Sequence, residues 1–344
     1  MNKLSNVIVG FCAAIGTSGV SAQAQEVTLR VHSFMHATSY QQLDFIEPWC
    51  AKVKVESNGK IACQIFPSMQ LGGSPAELLA QLNDGIADVV FANPGYAPGK
   101  YLMSEVFELP FMVQDISQGA KAMWDFLELY GKNELPGVKI IATTPADYTL
   151  IQTIKKPIHT MEDLKGVKLR SSSRYASKTL EALGALPVQL PGGQITESMI
   201  RGIIDGGFLP WSAVRLLSLT EITKHYADFS DSQTKISNAS QLFGMRQATY
   251  DEMSDELKAV IDANSGFGPS LDFANVYRTK MNEDREIVAA GDAEIFVLSD
   301  AEYQRWVDAT SGVEVDWIAD ANAKGLDGKM LLAEAKRLLE KYKP

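Results

Sequence analysis

Residues 74–92 read SPAELLAQLNDGIADVVFA, a helix signal followed at once by an apolar run. Ser74-Pro75-Ala76-Glu77 is a capping box with proline at the first helical position, so it predicts a helix that ends at Gly85. The following run, Ala87–Ala92, is almost entirely apolar, which is typical of a parallel strand covered on both faces. A helix followed directly by a buried strand indicates an α/β domain.

Strands and helices alternate around this segment, from residue 25 to about residue 144. Val27–Val31 and Ile61–Phe66 are predicted strands, and the apolar spacing across residues 43–53 predicts a helix between them. Pro48 lies inside that helix and is expected to kink it or displace its start. Together these elements predict a βαβαβ unit.

A second alternating run begins near Pro145, with predicted strands at 167–170, 188–190 and 206–209 and predicted helices at 173–183 and 196–203. Ser254 opens a helical stretch that continues to about Ala290, a length that could cross two lobes. The sequence therefore predicts an α/β protein of two lobes with a cleft between them. The predicted boundaries are 25–145 with part of 237–275 for lobe I, 146–236 with part of 276–312 for lobe II, and 313–344 for C-terminal helices.

The first 24 residues are predicted to be a secretory signal peptide. Lys3 precedes an apolar run from Val7 to Ile15, and Ala22 and Ala24 form a small-residue cleavage site. Cleavage after Ala24 would release the mature chain into the periplasm. No later segment reaches the ~20 apolar residues that a membrane-spanning helix needs.

Cys50 and Cys63 are the cysteines that remain after this cleavage. In an oxidising compartment they are expected to form one structural disulfide, with two buried free thiols as the alternative.

Composition and motifs argue against several functional classes. The chain has 46% hydrophobic and 22% charged residues and a net charge of -10, so disorder and nucleic-acid binding are not expected. The sequence has no glycine-rich nucleotide fingerprint, phosphate-binding loop or metalloprotease motif, and no enzyme activity, cofactor or metal is predicted. Of the four histidines, only His36 follows a strand end, where ligands bind in α/β folds.

Several short segments occur together in a specific order: residues 69–73 (MQLGG), 85–89 (GIADV), 108–111 (ELPF), 161–170 (MEDLKGVKLR), 183–188 (LGALPV) and 205–211 (DGGFLPW). This ordered set resembles the DctP-like solute-binding proteins of tripartite ATP-independent periplasmic (TRAP) transporters. The resemblance covers nearly the whole mature chain. It implies a two-lobe, periplasmic-binding-protein-like fold that closes on a small organic acid and hands it to a small and a large membrane subunit.

The resemblance also implies that Arg170, which ends the KGVKLR segment, clamps the carboxylate of the ligand. Physical chemistry agrees, because a guanidinium offers a planar pair of donors that matches a carboxylate and keeps its charge when desolvated. The alternative for Arg170 is a salt bridge with a neighbouring Asp or Glu.

The chain departs from many relatives at Gly207-Phe208-Leu209-Pro210-Trp211, where Glu-Asn is common before the proline. Phe208, Leu209 and Trp211 together with a single arginine favour an aromatic monocarboxylate such as benzoate or a hydroxybenzoate. Core packing is the alternative for Phe208 and Trp211. Partners for ligand hydroxyls are expected among His36, Ser39, Asn93, Tyr96, Tyr148 and Ser172.

Two other functions remain open from the sequence. One is the same transport role for an aliphatic hydroxy or oxo acid, and the other is a periplasmic ligand sensor or adaptor that shares the fold. A monomer is expected, because no coiled-coil stripe is evident.

Overall fold

The computed structural model describes residues 26–343, so the predicted signal peptide and its cleavage site lie outside the described residues. The strands are Val27–Ser33 (β1), Ile61–Phe66 (β2), Val89–Ala92 (β3), Val138–Pro145 (β4), Thr149–Thr153 (β5), Lys168–Ser171 (β6), Leu186–Gln189 (β7), Gly206–Pro210 (β8), His225–Asp228 (β9), Ser240–Arg246 (β10) and Glu294–Val297 (β11). The α-helices are Glu47–Glu56 (α1), Leu78–Asn83 (α2), Leu102–Glu105 (α3), Ile116–Tyr130 (α4), Arg174–Ala182 (α5), Ile195–Ile200 (α6), Ala213–Leu216 (α7), Gln247–Asp251 (α8), Asp255–Ala263 (α9), Phe267–Ala289 (α10), Asp300–Thr310 (α11), Gly312–Ala323 (α12) and Gly328–Lys341 (α13).

The strands form two sheets. The first, in lobe I, has the order β2-β1-β3-β10-β4, and the second, in lobe II, has the order β11-β9-β5-β8-β6-β7. In lobe I, β1 pairs in parallel with β2 and β3, as expected for the predicted βαβαβ unit. All four residues of β3 are buried, which agrees with a central strand covered on both faces.

Strand β10 inserts into the first sheet although it follows five strands of lobe II, β5 to β9, in the chain. It runs antiparallel between β3 and β4, and the register places Leu242 opposite both Ala92 and Thr143. The last strand of lobe II, β11, comes after β10, so each sheet is completed by a strand that follows a segment of the other lobe.

The chain crosses between the lobes at two adjacent segments. One leads from β4 into β5, and the other precedes β10. Backbone hydrogen bonds join them, from Ala146 N to Ala239 O at 2.8 Å and from Thr149 N to Ser237 O at 2.8 Å. The two crossings thus form one hydrogen-bonded pair.

A long helix also joins the lobes, as the fold prediction requires. Phe273 and Tyr277 of α10 belong to the apolar core of lobe I, and Val288 near its other end belongs to the core of lobe II. The helical stretch predicted from Ser254 onwards is not continuous, however. It breaks before Phe267, where Gly266 has a φ of +99°, a conformation that favours glycine.

Pro48 has the expected local effect. A short π-helix, Gln42–Ile46, runs directly into α1, and Pro48 is the second residue of α1. Because the residues before it are already helical, the missing N–H of Pro48 interrupts the hydrogen-bond ladder, and the wider π-type turn stands immediately before it. The predicted disulfide is confirmed: Cys50 of α1 is bonded to Cys63 of β2, with their Cα atoms 5.8 Å apart.

Within residues 26–343, no helix combines the length and the apolar character that crossing a membrane requires.

Candidate ligand-binding site

A cleft of about 420 Å³ lies between the two lobes. Lobe I contributes the segments that follow β1, β2 and β3 together with the start of β10, and lobe II contributes the ends of β6 and β8 and the loop after β7. Most of these are carboxyl ends of parallel strands, where α/β folds place their ligands.

Arg170 brings a buried positive charge to the wall of this cleft. It lies near the end of β6, its side chain is only 4% exposed, and its Nε donates a hydrogen bond to Leu190 O at 2.9 Å. In the part of the chain that the structure describes, no Asp or Glu forms an ion pair with this guanidinium. The salt bridge that was the alternative interpretation of Arg170 is therefore not formed there.

The surroundings of Arg170 favour an external anion. Burial lowers the pKa of the guanidinium, because desolvation disfavours the charged form, while Tyr96 and Glu108 act in the opposite direction. A desolvated cation without a paired anion is costly. A ligand carboxylate that reached Arg170 would remove this cost and satisfy the terminal N–H groups.

Glu108 cannot fully neutralise Arg170. Burial raises the pKa of Glu108 to about 7, so its carboxyl group carries only part of a charge near neutral pH. Its Oε1 accepts a hydrogen bond from Ser240 N at 2.9 Å, which holds it beside the start of β10.

Asn93 and Tyr96 follow β3 and line the cleft opposite Arg170. Asn93 Oδ1 accepts a hydrogen bond from Gly95 N at 2.9 Å. Gly95 lies where the lobes approach closely: a Cβ placed on it would stand 2.8 Å from Ser173 Cβ, so any side chain at this position would push against lobe II.

Several hydrogen bonds connect the lobes, including three between residues at or next to the cleft wall. Gly192 N donates to Tyr96 Oη at 3.2 Å, Gln189 Nε2 donates to Gly95 O at 3.3 Å, and Tyr40 Oη donates to Ser212 Oγ at 2.8 Å. The lobes are therefore in direct contact around the space that a ligand would fill.

Aromatic rings form much of the lobe I wall. Phe34 packs edge-on against Tyr96 with ring centroids 5.3 Å apart, and Tyr40 packs edge-on against Tyr277 at 5.7 Å. All four rings line the cleft, so a flat apolar ligand would find edge and face contacts there.

The structure brings six of the ten predicted site residues together on the cleft wall: Arg170, Leu209, Ser172, Asn93, Tyr96 and His36. Phe208, Trp211, Tyr148 and Ser39 are not among the lining residues. Ser39 instead accepts a hydrogen bond from Gln42 N at 3.3 Å, as part of the turn that starts the helix.

Phe208 and Trp211 lie in the core of lobe II, where core packing was the alternative. Trp211 stacks on Tyr226 with centroids 5.0 Å apart and donates to Tyr148 Oη at 3.1 Å, and Tyr148 donates to Asp228 at 3.4 Å. Leu209 belongs to the same buried core, but it lies nearer the carboxyl end of β8 and, with Pro210, also lines the cleft.

Sequence reasoning missed several lining residues: Phe34, Tyr40, Gln41, Gln241 and Tyr277. Phe34 directly follows β1, so the strand-end rule that selected His36 also applied to it. Gln241 and Tyr277 reach the cleft through long-range packing, and no local pattern marks them.

The other histidines have structural partners. His32 is buried, and its Nδ1 donates a hydrogen bond to Gln81 Oε1 at 2.6 Å. Its Nε2 accepts a hydrogen bond from Leu71 N at 3.3 Å. His159 and His225 both pair with Glu294 near the surface. Within residues 26–343, no group of three or more His, Cys, Asp or Glu side chains is arranged to hold a metal ion.

Several known proteins are similar to this chain in sequence and in architecture. The family "Bacterial extracellular solute-binding protein, family 7" (DctP) matches residues 32–317. A TRAP solute-binding protein from Rhodoferax ferrireducens, crystallised with copurified benzoate, is 34% identical, with a TM-score of 0.89 over 92% of this chain and 98% of its own. A TRAP solute-binding protein from a marine metagenome (unidentified microbe), specific for aromatic acid ligands and crystallised with 3-hydroxybenzoate, is 35% identical, with a TM-score of 0.89 over 93% of this chain and 100% of its own.

A more distant relative is the C4-dicarboxylate-binding periplasmic protein DctP of Rhodobacter capsulatus, which is 24% identical over 270 residues, 75% of this chain and 76% of its own. The family match covers most of the chain, and the two-sheet architecture agrees with it. This chain is therefore a member of family 7 of the bacterial extracellular solute-binding proteins, the DctP family, with the two-lobe fold of the TRAP solute-binding proteins.

Proposed function

We propose that the protein binds an aromatic monocarboxylate of the benzoate and hydroxybenzoate class in the periplasm and delivers it to the membrane subunits of a TRAP transporter. It acts as a binding protein without catalysis, and as a monomer. Arg170 is the residue that takes the ligand carboxylate.

One observation carries this proposal. The buried guanidinium of Arg170 has no acidic partner in the described part of the chain, and it opens onto a cleft whose facing wall is aromatic. A single cation suits one carboxylate, and the rings of Phe34, Tyr96 and Tyr277 suit a flat apolar body. Two relatives that are 34% and 35% identical were crystallised with benzoate and with 3-hydroxybenzoate, which supports the same ligand class here.

Transport of an aliphatic hydroxy or oxo acid is the second candidate. An aliphatic acid would also bind Arg170 through its carboxylate. The relative from Rhodobacter capsulatus, named for binding C4-dicarboxylates, supports aliphatic acids as ligands in this family. A dicarboxylate, however, calls for a second cation, and Arg170 is the only Arg or Lys among the residues that line the described cleft.

Ligand-stripped protein titrated by calorimetry tests the proposal. The panel contains benzoate, benzamide, cyclohexanecarboxylate, succinate and pyruvate. We expect benzoate to bind, benzamide to bind at least about 100-fold more weakly because it lacks the charge, and cyclohexanecarboxylate to bind more weakly because it lacks the ring faces. At ~100 times its Kd, benzoate should stabilise the fold by ~2.7 kcal/mol.

Binding of succinate or pyruvate without benzoate would contradict the aromatic assignment and leave the transport role in place. Equal binding of benzoate and benzamide would contradict the role of Arg170. Transport itself is tested by uptake of radiolabelled benzoate into vesicles that contain the small and large membrane subunits, with and without this protein.

A further inference from the structure

Gln241 places an unused hydrogen-bond acceptor beside the cleft. It is the second residue of β10, its register places it opposite Thr144 of β4, and its side chain lines the cleft while being only 5% exposed. A polar side chain this deeply buried ordinarily has partners for both its nitrogen and its oxygen.

The orientation of the Gln241 amide follows from its neighbour. Its Nε2 donates to the backbone oxygen of Ala239 at 3.3 Å. A backbone carbonyl can only accept, so the nitrogen must face Ala239 and the amide oxygen must face the other way. Within residues 26–343, that oxygen, Oε1, is buried and has no hydrogen-bond partner.

Gln41 lies on the same wall, but its partner is a tyrosine hydroxyl, which can donate or accept and so does not fix the orientation of the amide. It lines the cleft, its Nε2 donates to Tyr277 Oη at 3.5 Å, and its Oε1 also has no partner in the described part of the chain. In Asn93 the amide oxygen, not the nitrogen, has a partner, because Oδ1 accepts a hydrogen bond from Gly95 N. The amide nitrogen of Asn93 is therefore the group that can donate to a ligand. Arg170 and Asn93 thus offer donors to the cleft, whereas Gln241 offers an acceptor that neighbouring atoms cover and that a ligand reaches when those atoms move aside.

We propose that the ligand carries a ring hydroxyl in addition to its carboxylate, and that Gln241 Oε1 accepts the hydrogen of that hydroxyl. A carboxylate oxygen is only an acceptor and would be repelled by the amide oxygen of Gln241. The Gln241 amide therefore also fixes the orientation of the ligand, with its hydroxyl toward Gln241 and its carboxylate toward Arg170. The inference rests on the proposed function, since it takes an aromatic monocarboxylate at Arg170 as given. It narrows the ligand from the benzoate class to hydroxylated members of it.

The expected selectivity follows from the cost of leaving a buried acceptor unpaired. A site built to bond a hydroxyl strongly rejects the analogue that lacks it, because the polar group of the protein then stays unpaired. For one such bond the difference is about tenfold in Kd or more. A methoxy group at the same ring position is rejected as well, because it cannot donate.

The test compares benzoate, the three hydroxybenzoate isomers and the matching methoxybenzoates by calorimetry on the wild type, Gln241→Met and Gln41→Met. We expect one hydroxybenzoate isomer to bind the wild type at least about tenfold more tightly than benzoate and than its own methoxy analogue. In Gln241→Met this preference should disappear, so that benzoate, the hydroxybenzoate and its methoxy analogue bind with similar Kd. Gln64→Met, an exposed glutamine of lobe I, is the matched control and should behave as the wild type.

Each other result is decisive. If the wild type binds benzoate as tightly as every hydroxybenzoate, the hydroxyl inference is wrong while the aromatic assignment stands. If the preference survives in Gln241→Met, or disappears in Gln41→Met alone, the assignment to Gln241 is wrong. If no aromatic acid binds, the proposed function itself fails. Thermal melting of each variant shows that a lost preference does not come from a lost fold.

Discussion

Replacing Arg170 by methionine should have opposite effects on binding and on stability. Methionine fills a similar space without a charge, and it cannot hold a carboxylate. The ligand would then lose the buried cation that balances its charge. Truncating one member of a buried ion pair costs about 3–5 kcal/mol, so Kd should rise by at least about 100-fold.

The unliganded protein should gain stability from the same substitution. Arg170 is 4% exposed, it bonds the carbonyl of Leu190, and no acidic side chain in the described residues pairs with it. Removing an unpaired buried charge is expected to stabilise the fold by about 1 kcal/mol or more, which corresponds to a rise in Tm of about 2 °C. The arginine is therefore expected to cost stability in exchange for affinity.

Calorimetric titration with benzoate and differential scanning calorimetry of ligand-stripped protein measure the two effects. Arg170→Lys keeps the charge but loses the paired donors and should bind with intermediate affinity. Arg201→Met is the control, because Arg201 is exposed and pairs with Glu197 one helical turn away. Wild-type affinity in Arg170→Met would remove Arg170 from the site, and a lower Tm of that unliganded variant would show that its packing outweighs its desolvation.

Three further variants test the core, the disulfide and a buried acid. Phe208→Ala should lower the free energy of unfolding by about 3 kcal/mol with little change in the Kd of the ligand, because Phe208 is fully buried in lobe II. A weaker affinity with an unchanged free energy of unfolding would instead show that Phe208 contacts the ligand. Replacing Cys50 and Cys63 by serine should cost about 3 kcal/mol in urea unfolding, because the bridge closes a loop with a sequence separation of 13; equal unfolding curves would contradict this. Burial raises the pKa of Glu108 from 4.5 to about 7, so the folded state keeps a proton that the unfolded state releases, and this contribution to stability falls as pH rises from 4.5 to 7. Glu108→Gln should remove about 3 kcal/mol of that fall, and an unchanged pH profile of urea unfolding would refute the assignment.

Local signals were sufficient for much of the fold. Ser299 caps α11 by accepting from Glu302 N, and Gly184 follows the end of α5 with a φ of +91°, as their residue types indicate. Such signals act within a few residues, so the sequence expresses them directly. The insertion of β10 between β3 and β4 has no local signal, because it depends on pairing with strands about 100 and 150 residues away in the chain.

The cleft was predictable only in part for the same reason. Arg170 stands out because a charged residue ends a buried strand, and Asn93 and Tyr96 stand out because they follow one. Phe208 and Leu209 are neighbours of similar character and both belong to the buried core of lobe II, and only the tertiary structure shows that Leu209 also reaches the cleft. The sequence pattern around Phe208 does not distinguish a core residue from a cleft residue, so the prediction that Phe208 lines the cleft was made without that information.

The paired crossings between the lobes determine how the cleft can open. A single flexible connection would let the two lobes rotate and twist freely. Here the two crossing segments are joined by the backbone hydrogen bonds Ala146–Ala239 and Thr149–Ser237, so they form a two-stranded hinge. Together with α10 and the passage from α11 to α12, which also leads from the core of lobe II to that of lobe I, they are expected to restrain twisting and to favour bending. A cut in the backbone at one crossing would consequently leave the halves joined and aligned. The two walls of the cleft would return to the same register each time they meet.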